Sequence, residues 1–492
     1  MLCLTIARNR HKSMIAEYQQ AALEGAPLVE LCLDSIHGSV NLKRLLEVKA
    51  TPVLISCRRQ ADGGHWAGTE SERQVLLRSA IVSGVDYVDL EWDIAKMIPR
   101  YGSTKRVISY INQQETPGNL SEILQNILEC DPDIVRIATK ANNLNDWLRV
   151  SLLIKRAPKP TTAICLGELG MATRLLGERW GSPLTFTMSP LGRKLQPWEV
   201  SWGDIRHVYG IEHINQETEL FALVGSEVQR SHEIVMLNAL MRKLQLNACC
   251  MPLKVLPEDW ERLVNVCPEL GFKGLLVSRQ HQEAVVPLMS QMEATADGIG
   301  AVNTIVFNGN RRIGYNTYAK PVIECLSVAM EIDLQSDRPF KGRRCLILGH
   351  DALSKAVAWE LQDRGAEVLL SSPDSQAAAR LARTASATAV EWDKRLEVPT
   401  EVVFNGTMVG TFPNVDASPF EVTSLYPGMV VVETVYNPEQ TLLVKQAKQA
   451  GCKVILGAEV FVRQLAYQFR LFTNREPPLV AMRNAIKKLA TI

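Results

Sequence analysis

Short apolar runs rich in β-forming residues recur about every 20 to 30 residues over the first 190 positions. The eight runs are LCLTIA, LVELCLD, PVLISC, YVDLE, RVISYI, IVRIAT, TTAICLG and LTFTMS. The segments between them have helical periodicity, as in SERQVLLRSAIVSG and LSEILQNILEC. Eight strand-helix repeats predict a (β/α)8 barrel, in which functional side chains lie at the carboxyl ends of the strands.

A polar linker at 211–220 precedes a second β/α series with strand candidates LNACCMPL, FKGLLVS and AVNTIVFN. Further on, GRRCLILGHD, ALSKAVAWELQDRG and AEVLLSS form the strand, turn, helix and strand that open a doubly wound nucleotide-binding fold. We therefore expect an α/β protein with a barrel over 1–218, a small domain over 219–335 and a Rossmann-like domain over 336–460. The helices of 461–492 are expected to return to the small domain.

The composition is that of a soluble globular protein, with 46% hydrophobic and 22% charged residues. A net charge of +1 and no long basic run argue against a nucleic-acid partner, and no apolar stretch predicts a membrane span. The eleven scattered cysteines indicate buried thiols in a reducing compartment, so we expect a cytoplasmic protein. Cys249 and Cys250 are adjacent and lack ligand spacing, and no metal site is expected.

The first half resembles type I 3-dehydroquinate dehydratases through six motifs in order: ELCLD, SCRRQADGG, YVDLE, SYINQQETP, DIVRIAT and GSPLTF. The second half resembles shikimate dehydrogenases through GAVNT, GYNTY, NGTMVGTFP, VYNPEQTLL and GAEVFVRQLAYQF. The resemblance implies a TIM barrel fused to a two-lobed dehydrogenase with a Rossmann lobe, as in the bifunctional proteins of the shikimate pathway and aromatic amino acid biosynthesis.

The resemblance also implies a lysine that forms a Schiff base in the barrel and a histidine that moves the proton. Arg136 stands at the lysine position, and its guanidinium cannot form an imine at neutral pH. Ile111 stands at the histidine position and has no proton to give. Lys140, His37 and His65 are the nearby groups that could substitute for the lost pair.

The family positions that hold the substrate's hydroxyls and carboxylate are partly kept, as Glu30, Asp34, Arg58 and Arg174. Three further positions of that shell differ from the family: Cys32 replaces an arginine, Asp62 replaces a glutamate, and Glu199 stands near a ligand glutamine. The alternative is that Arg58 and Arg174 only pair with Glu30, Asp34 or Asp62 in a buried polar network.

In the dehydrogenase half the resemblance implies a lysine and an aspartate that move a proton during hydride transfer. Gln282 and Tyr318 occupy those positions. Glutamine cannot protonate an alkoxide, and tyrosine, with an ordinary pKa near 10, needs activation. Any changed activity would use Tyr318, His281 or Lys320, although a histidine between Arg279 and Gln282 is more often at the surface or the cleft rim.

Ser231, Asn303 and Gln464 match family residues that bind shikimate. Glu233 replaces a second serine and brings a carboxylate to the place of the substrate's own, while Leu276 replaces an asparagine. Both changes weaken the implied substrate site.

The turn that should hold the pyrophosphate reads GHDAL, which keeps only Gly349 as a weak cofactor-binding candidate and adds the negative charge of Asp351. NADP is therefore expected only if the dehydrogenase half is active. The alternative for Gly349, Gly365 and Gly457 is that they serve tight turns and helix caps.

Loss of the reactive groups at two sites, with the fold-defining motifs kept, favours a pseudoenzyme. It would act as a regulatory partner, a scaffold for an active paralogue, or a sensor of a shikimate- or quinate-like acid. The competing hypotheses are a working bifunctional enzyme or one with a changed activity, and an interaction protein with no ligand.

Overall fold

A computed structural model of the chain describes residues 1–48, 50–189, 199–226, 228 and 231–489. The chain forms two compact units. The first comprises 1–220, 226–230 and 241–255, and the second comprises 221–225, 231–240 and 256–492. In the part of the chain that the structure describes, no helix is long and apolar enough to cross a membrane.

Every strand predicted for the barrel is present, and the predicted (β/α)8 architecture is confirmed. The strands are β1 (Leu2–Ile6), β2 (Val29–Cys32), β3 (Val53–Ser56), β4 (Tyr87–Glu91), β5 (Lys105–Asn112), β6 (Ile134–Lys140), β7 (Thr161–Leu166) and β8 (Thr185–Met188). The helices are α1 (His11–Leu23), α2 (Leu42–Leu46), α3 (Glu70–Val82), α4 (Trp92–Ala95), α5 (Leu120–Leu128), α6 (Leu144–Arg156), α7 (Met171–Arg179) and α8 (Trp202–His207).

The barrel strands are parallel and follow the order β7-β6-β5-β4-β3-β2-β1-β8. β7 and β8 end that order, and side-chain hydrogen bonds bridge them. The Thr162 hydroxyl donates to the carbonyl of Leu184 at 3.0 Å, and the Leu184 amide donates to that hydroxyl at 3.2 Å. Below the polar end, Cys3, Leu54 and Ile164 belong to the apolar core that fills the barrel.

A six-stranded mixed sheet has the order β10-β9-β11-β13-β14-β12. Its strands are β9 (Glu219–Gly225), β10 (Ala248–Lys254), β11 (Phe272–Val277), β12 (Gln291–Met292), β13 (Thr304–Asn308) and β14 (Arg311–Tyr315). The accompanying helices are α9 (His232–Lys243), α10 (Trp260–Leu270), α11 (Ala294–Ile299) and α12 (Ala319–Met330). We call this part of the second unit, from β11 to α12, the substrate lobe.

The Rossmann-like fold is also confirmed. Its strands are β15 (Arg344–Leu348), β16 (Glu367–Ser371), β17 (Thr388–Ala389), β18 (Val402–Asn405), β19 (Val430–Glu433) and β20 (Lys453–Ile455), all parallel in the order β17-β16-β15-β18-β19-β20. The helices are α13 (Ala352–Asp363), α14 (Ser375–Thr384) and α15 (Leu442–Gln449), followed by α16 (Gly457–Thr473) and α17 (Leu479–Leu489).

The two faces of the Rossmann sheet are covered by separate cores. Along β15, Cys345 and Ile347 belong to one core, and Leu346 and Leu348 belong to the other. This alternation is what a strand buried on both faces requires. The predicted state of the cysteines is confirmed, since all eleven are free thiols and ten of them are buried.

Candidate functional site

The carboxyl ends of the barrel strands bring four charged side chains together in the interior. Glu30 lies on β2, Asp89 on β4 and Arg136 on β6, and Arg58 follows β3. All four are buried. They face one another because inward positions alternate along each strand, so each strand contributes one side chain at this level. We call these four residues the barrel quartet.

Each arginine of the quartet contacts both carboxylates. Arg136 Nη1 is 2.9 Å from Glu30 Oε1 and 2.8 Å from Asp89 Oδ2. Arg58 Nη2 is 2.7 Å and 2.8 Å from the same two oxygens. The second oxygens accept from hydroxyl groups, Glu30 from Thr5 at 2.7 Å and Asp89 from Ser109 at 2.5 Å. Two cations and two anions therefore form a closed, neutral network.

The quartet fixes the ionisation of Glu30. Burial alone raises the pKa of a carboxyl group, but the guanidinium groups of Arg136 and Arg58 outweigh it and hold the pKa of Glu30 well below its usual range. Glu30 thus stabilises the folded state above its unfolded pKa, and that stabilisation is lost as the pH falls towards its folded value. Arg136 is further held by stacking, with its Cζ 3.5 Å from the centre of the Phe186 ring.

The other barrel residues singled out by sequence have different surroundings. Asp34 accepts hydrogen bonds from the backbone amides of Arg58 at 3.0 Å and His65 at 2.9 Å, so it fixes the loop after β3. Asp62 pairs with Arg59 at 2.5 Å. The buried pairing anticipated for Arg58 is therefore found with Glu30, whereas Asp34 and Asp62 do not pair with Arg58 or Arg174 within the described residues.

Arg174 is the cation that the quartet leaves out. It lies on α7 and donates to the backbone carbonyls of Phe186 at 3.3 Å and Gly170 at 3.4 Å. Burial lowers its pKa, and the charge of Glu199 acts in the opposite direction. Among the residues that the structure describes, no carboxylate lies within ion-pairing distance of Arg174. Its anion-binding role remains a prediction.

A cavity of about 410 Å³ opens above the quartet. Arg174, Cys32, Ile111, His65 and Glu199 all line it. Burial raises the pKa of the Cys32 thiol, which is therefore neutral. We call this space the barrel cavity.

The possible substitutes for the lost lysine and histidine are not grouped at the quartet. Lys140 ends β6 and is exposed, and it does not line the barrel cavity. The backbone amide of His37 donates to Asn9, and this residue is also absent from the cavity lining. His65 lines the cavity at its rim but is not hydrogen-bonded to any member of the quartet in the described part of the chain.

In the second unit, Gln282 and Tyr318 contact each other. Gln282 Nε2 donates to the Tyr318 hydroxyl at 2.8 Å and to the carbonyl of Val277 at 3.1 Å. Tyr318 is buried, and this raises the pKa of its hydroxyl although Arg279 acts in the opposite direction. A hydroxyl with a raised pKa is a weaker acid than free tyrosine, so the contact does not activate it.

Of the other residues expected in a shikimate site, Asn303 and Ser231 are already hydrogen-bonded. The Asn303 side-chain oxygen accepts from the amide of Thr317 at 3.0 Å and from two threonine hydroxyls, while its Nδ2 has no partner among the described residues. Ser231 donates to Glu233, and Gln464 is half-buried on α16. Leu276 is buried on β11. Their binding roles remain predictions.

His281 and Lys320, the other side chains considered for a changed activity, both pack against aromatic rings. The expectation that His281 lies at the surface or cleft rim is wrong, because it is 3% exposed and packs beside Trp260 with ring centres 5.5 Å apart. Burial lowers its pKa. Lys320 lies over the ring of Tyr467, with Nζ 4.5 Å from the centre.

The turn expected to bind the nucleotide places a carboxylate, that of Asp351, at the N-terminus of α13. Asp351 is the N-cap of α13, where its Oδ1 accepts from the Ser354 amide at 2.8 Å. Its Oδ2 lies 3.3 Å from Arg279 Nη1 of the substrate lobe, and a second pair, Lys355 with Glu283, lies beside it at 3.5 Å. A carboxylate therefore occupies the position where a phosphate would use the helix N-terminus, and the turn does not fit NADP.

The three glycines have backbone roles. Gly349 has φ of 120°, and a Cβ there would lie 2.9 Å from the Gly406 carbonyl carbon. A Cβ on Gly457 would lie 2.3 Å from the carbonyl oxygen of Val435, and Gly365 has φ of 90° after α13. These contacts account for the glycines without a nucleotide.

The comparisons with known proteins agree with both folds. A family model described as type I 3-dehydroquinase matches residues 2–216, and one described as the shikimate dehydrogenase substrate binding domain matches 223–305. The chain thus combines a barrel similar to type I 3-dehydroquinases with a second half similar to shikimate dehydrogenases. It belongs to the shikimate dehydrogenase family in its second half and is a homologue of the bifunctional proteins of aromatic amino acid biosynthesis.

One relative is the chloroplastic bifunctional 3-dehydroquinate dehydratase/shikimate dehydrogenase of Arabidopsis thaliana, 27% identical over 97% of this chain and 83% of the relative. Another is the NADP(+) shikimate dehydrogenase of Desulforamulus reducens, 31% identical over 56% of this chain and 97% of the relative. A solved shikimate dehydrogenase in complex with NADP+ superposes with a TM-score of 0.52 at 27% identity, covering 56% of this chain and 98% of that one.

Replacing Arg136 by methionine should destabilise the protein by about 3 kcal/mol, because it leaves two buried carboxylates with one arginine. Chemical denaturation measures the change. Arg100 is a matched control, since it also bridges two carboxylates, Asp131 at 2.5 Å and Asp133 at 2.7 Å, but on the surface. Arg100→Met should cost less than about 1 kcal/mol. Equal costs for the two variants would contradict the account of the quartet.

Asp351→Asn should allow measurable, salt-sensitive binding of NADPH, because it keeps the helix cap and removes the charge that opposes phosphate. Titration followed by NADPH fluorescence measures the binding, and the unmodified chain should give no saturable signal. Asp337→Asn, an equal change of charge in an exposed loop, is the control. Tight NADPH binding by the unmodified chain would contradict the assignment of Asp351.

Proposed function

We propose that the chain is a catalytically silent homologue that binds a small carboxylic acid in its barrel and acts as a ligand sensor. The observation that carries the proposal is the pairing of Arg136 with Glu30 and Asp89, at the position to which the sequence resemblance assigns the Schiff-base lysine. An imine requires an amine that can lose its proton, and a guanidinium paired with two carboxylates cannot supply one.

Proton transfer is absent as well as the nucleophile. Ile111 at the family's histidine position carries no titratable group, and the nearest alternatives are at the rim or outside the cavity. The quartet leaves no carboxylate of its own free to act as a base, because all four oxygens of Glu30 and Asp89 accept hydrogen bonds. Dehydration by the family's mechanism is therefore not supported.

Within the described residues of the second half, we find neither a side chain suited to donate the proton at the positions that the resemblance implies nor a turn that fits the cofactor. Gln282 is bonded to a buried Tyr318 whose pKa is raised, and Asp351 takes the anion position at α13. Relatives that carry the name shikimate dehydrogenase (NADP(+)) support NADP as the ancestral cofactor. For this chain we propose no hydride transfer.

Binding is the function that the remaining geometry favours. The barrel keeps a cavity of about 410 Å³, a size suited to a small ligand, and Arg174 faces it without a carboxylate at ion-pairing distance among the described residues. Arg174 is half-buried, and a partly desolvated cation in that state gains from an anionic ligand. Ligand binding would then be read by an active paralogue or another partner.

The purified chain, incubated with 3-dehydroquinate and NADPH, should form neither 3-dehydroshikimate nor shikimate above a control without protein. Mass spectrometry of the products tests this, with an active bifunctional relative as the positive control. Formation of either product at turnovers per second would overturn the silent assignment and make the chain a working or altered enzyme.

A further inference from the structure

Three of the charged groups that line the barrel cavity, and that would hold ring hydroxyls, are already bonded. Glu30 and Arg58 belong to the quartet, and both oxygens of Asp34 accept backbone amides. The Nε atoms of Arg58 and Arg136 have no acceptor in the described part of the chain, but they are enclosed and do not reach the cavity surface. A polyhydroxylated ligand would lose its hydrogen bonds to water beside these groups and regain few from them, which leaves Ser35, Asp62, His65, Gln113 and Glu199 as the other polar side chains of the lining.

The wall of the cavity offers apolar contacts instead. Thr187 also lines the cavity, but its hydroxyl donates to the backbone carbonyl of Val200. The apolar lining residues include Ile111, Ala138, Ile164, Leu166, Phe186 and Met188. Burial of an apolar ring against such a wall is favourable in proportion to the area removed from water.

The charge of the ligand follows from Arg174. Its two recorded hydrogen bonds, to carbonyls at 3.3 and 3.4 Å, are long, and a guanidinium has five N–H donors in a fork that matches one carboxylate. The barrel quartet has no net charge, so it does not favour a second negative charge on the ligand. Glu199 also lines the cavity and carries a charge opposite to that of Arg174, so the site calls for no more than one ligand carboxylate.

We propose that the barrel cavity binds a monocarboxylic acid with an apolar, ring-sized body, its carboxylate on Arg174 and its ring against the Ile164, Leu166 and Phe186 wall. This inference rests on the proposed function and specifies its ligand class. This ligand differs from the shikimate- or quinate-like acid expected from the sequence. The reason is that Arg136 pairs with Glu30 and Asp89, so these carboxylates are not available to accept hydrogen bonds from ring hydroxyls.

Isothermal titration calorimetry of the full chain with two matched pairs of acids tests the inference. Cyclohexanecarboxylate is compared with quinate, and cyclohex-1-enecarboxylate with shikimate; each pair shares a ring skeleton and differs in its hydroxyls. The acids without hydroxyls should bind at least about tenfold more tightly. Arg174→Gln should abolish this binding, and Arg174→Lys should keep part of it.

Leu166→Gln is a second variant, at a half-buried wall position away from the charge network. This substitution should weaken binding of the two acids without hydroxyls by several-fold and leave the affinities for quinate and shikimate unchanged. Circular dichroism confirms that each variant is folded. Equal or tighter binding of the hydroxylated acids would overturn the ligand class and leave the binding function standing. Absence of binding by all four acids, or binding that persists in Arg174→Gln, would overturn the proposed barrel function itself.

Discussion

The energetic problem in this molecule is how to hold Arg136 inside a barrel. A guanidinium removed from water is unfavourable by several kcal/mol unless charges and hydrogen bonds replace its hydration. Glu30 and Asp89 supply the charges, Arg58 balances them, and Thr5 and Ser109 bond the remaining oxygens. The charged side chains of the barrel quartet are thereby engaged in stabilising Arg136.

The dehydrogenase half has a similar arrangement. Asp351 caps α13 and pairs with Arg279, so the helix N-terminus already has a carboxylate beside it. Lys355 and Glu283 add a second pair between the same two segments. In both halves a charged side chain of the protein stands where the sequence resemblance implies a reactive amine or a bound phosphate. In both places the charged groups of the protein are paired with one another, as the proposed binding function requires.

Sequence periodicity identified the strands well because a barrel strand is an apolar run of fixed length between turn signals. It also placed Arg136 and Ile111 at the positions where chemistry was expected. It missed Asp89, although the motif YVDLE was noted, because alternation assigns a side of the strand but not which cross-barrel side chains meet. His281 was misjudged because its polar neighbours suggest exposure, whereas Trp260, distant in sequence, determines its burial.

The most direct test of the central claim is reductive trapping. The intact chain is mixed with 3-dehydroquinate and sodium borohydride, which reduces any imine to a stable amine, and its mass is measured. We predict that the mass stays that of the free protein, while an active type I dehydroquinase treated in parallel gains the ligand. A stoichiometric adduct on a lysine of this chain would show that an amine still reaches the substrate ketone and would contradict the account of the barrel quartet.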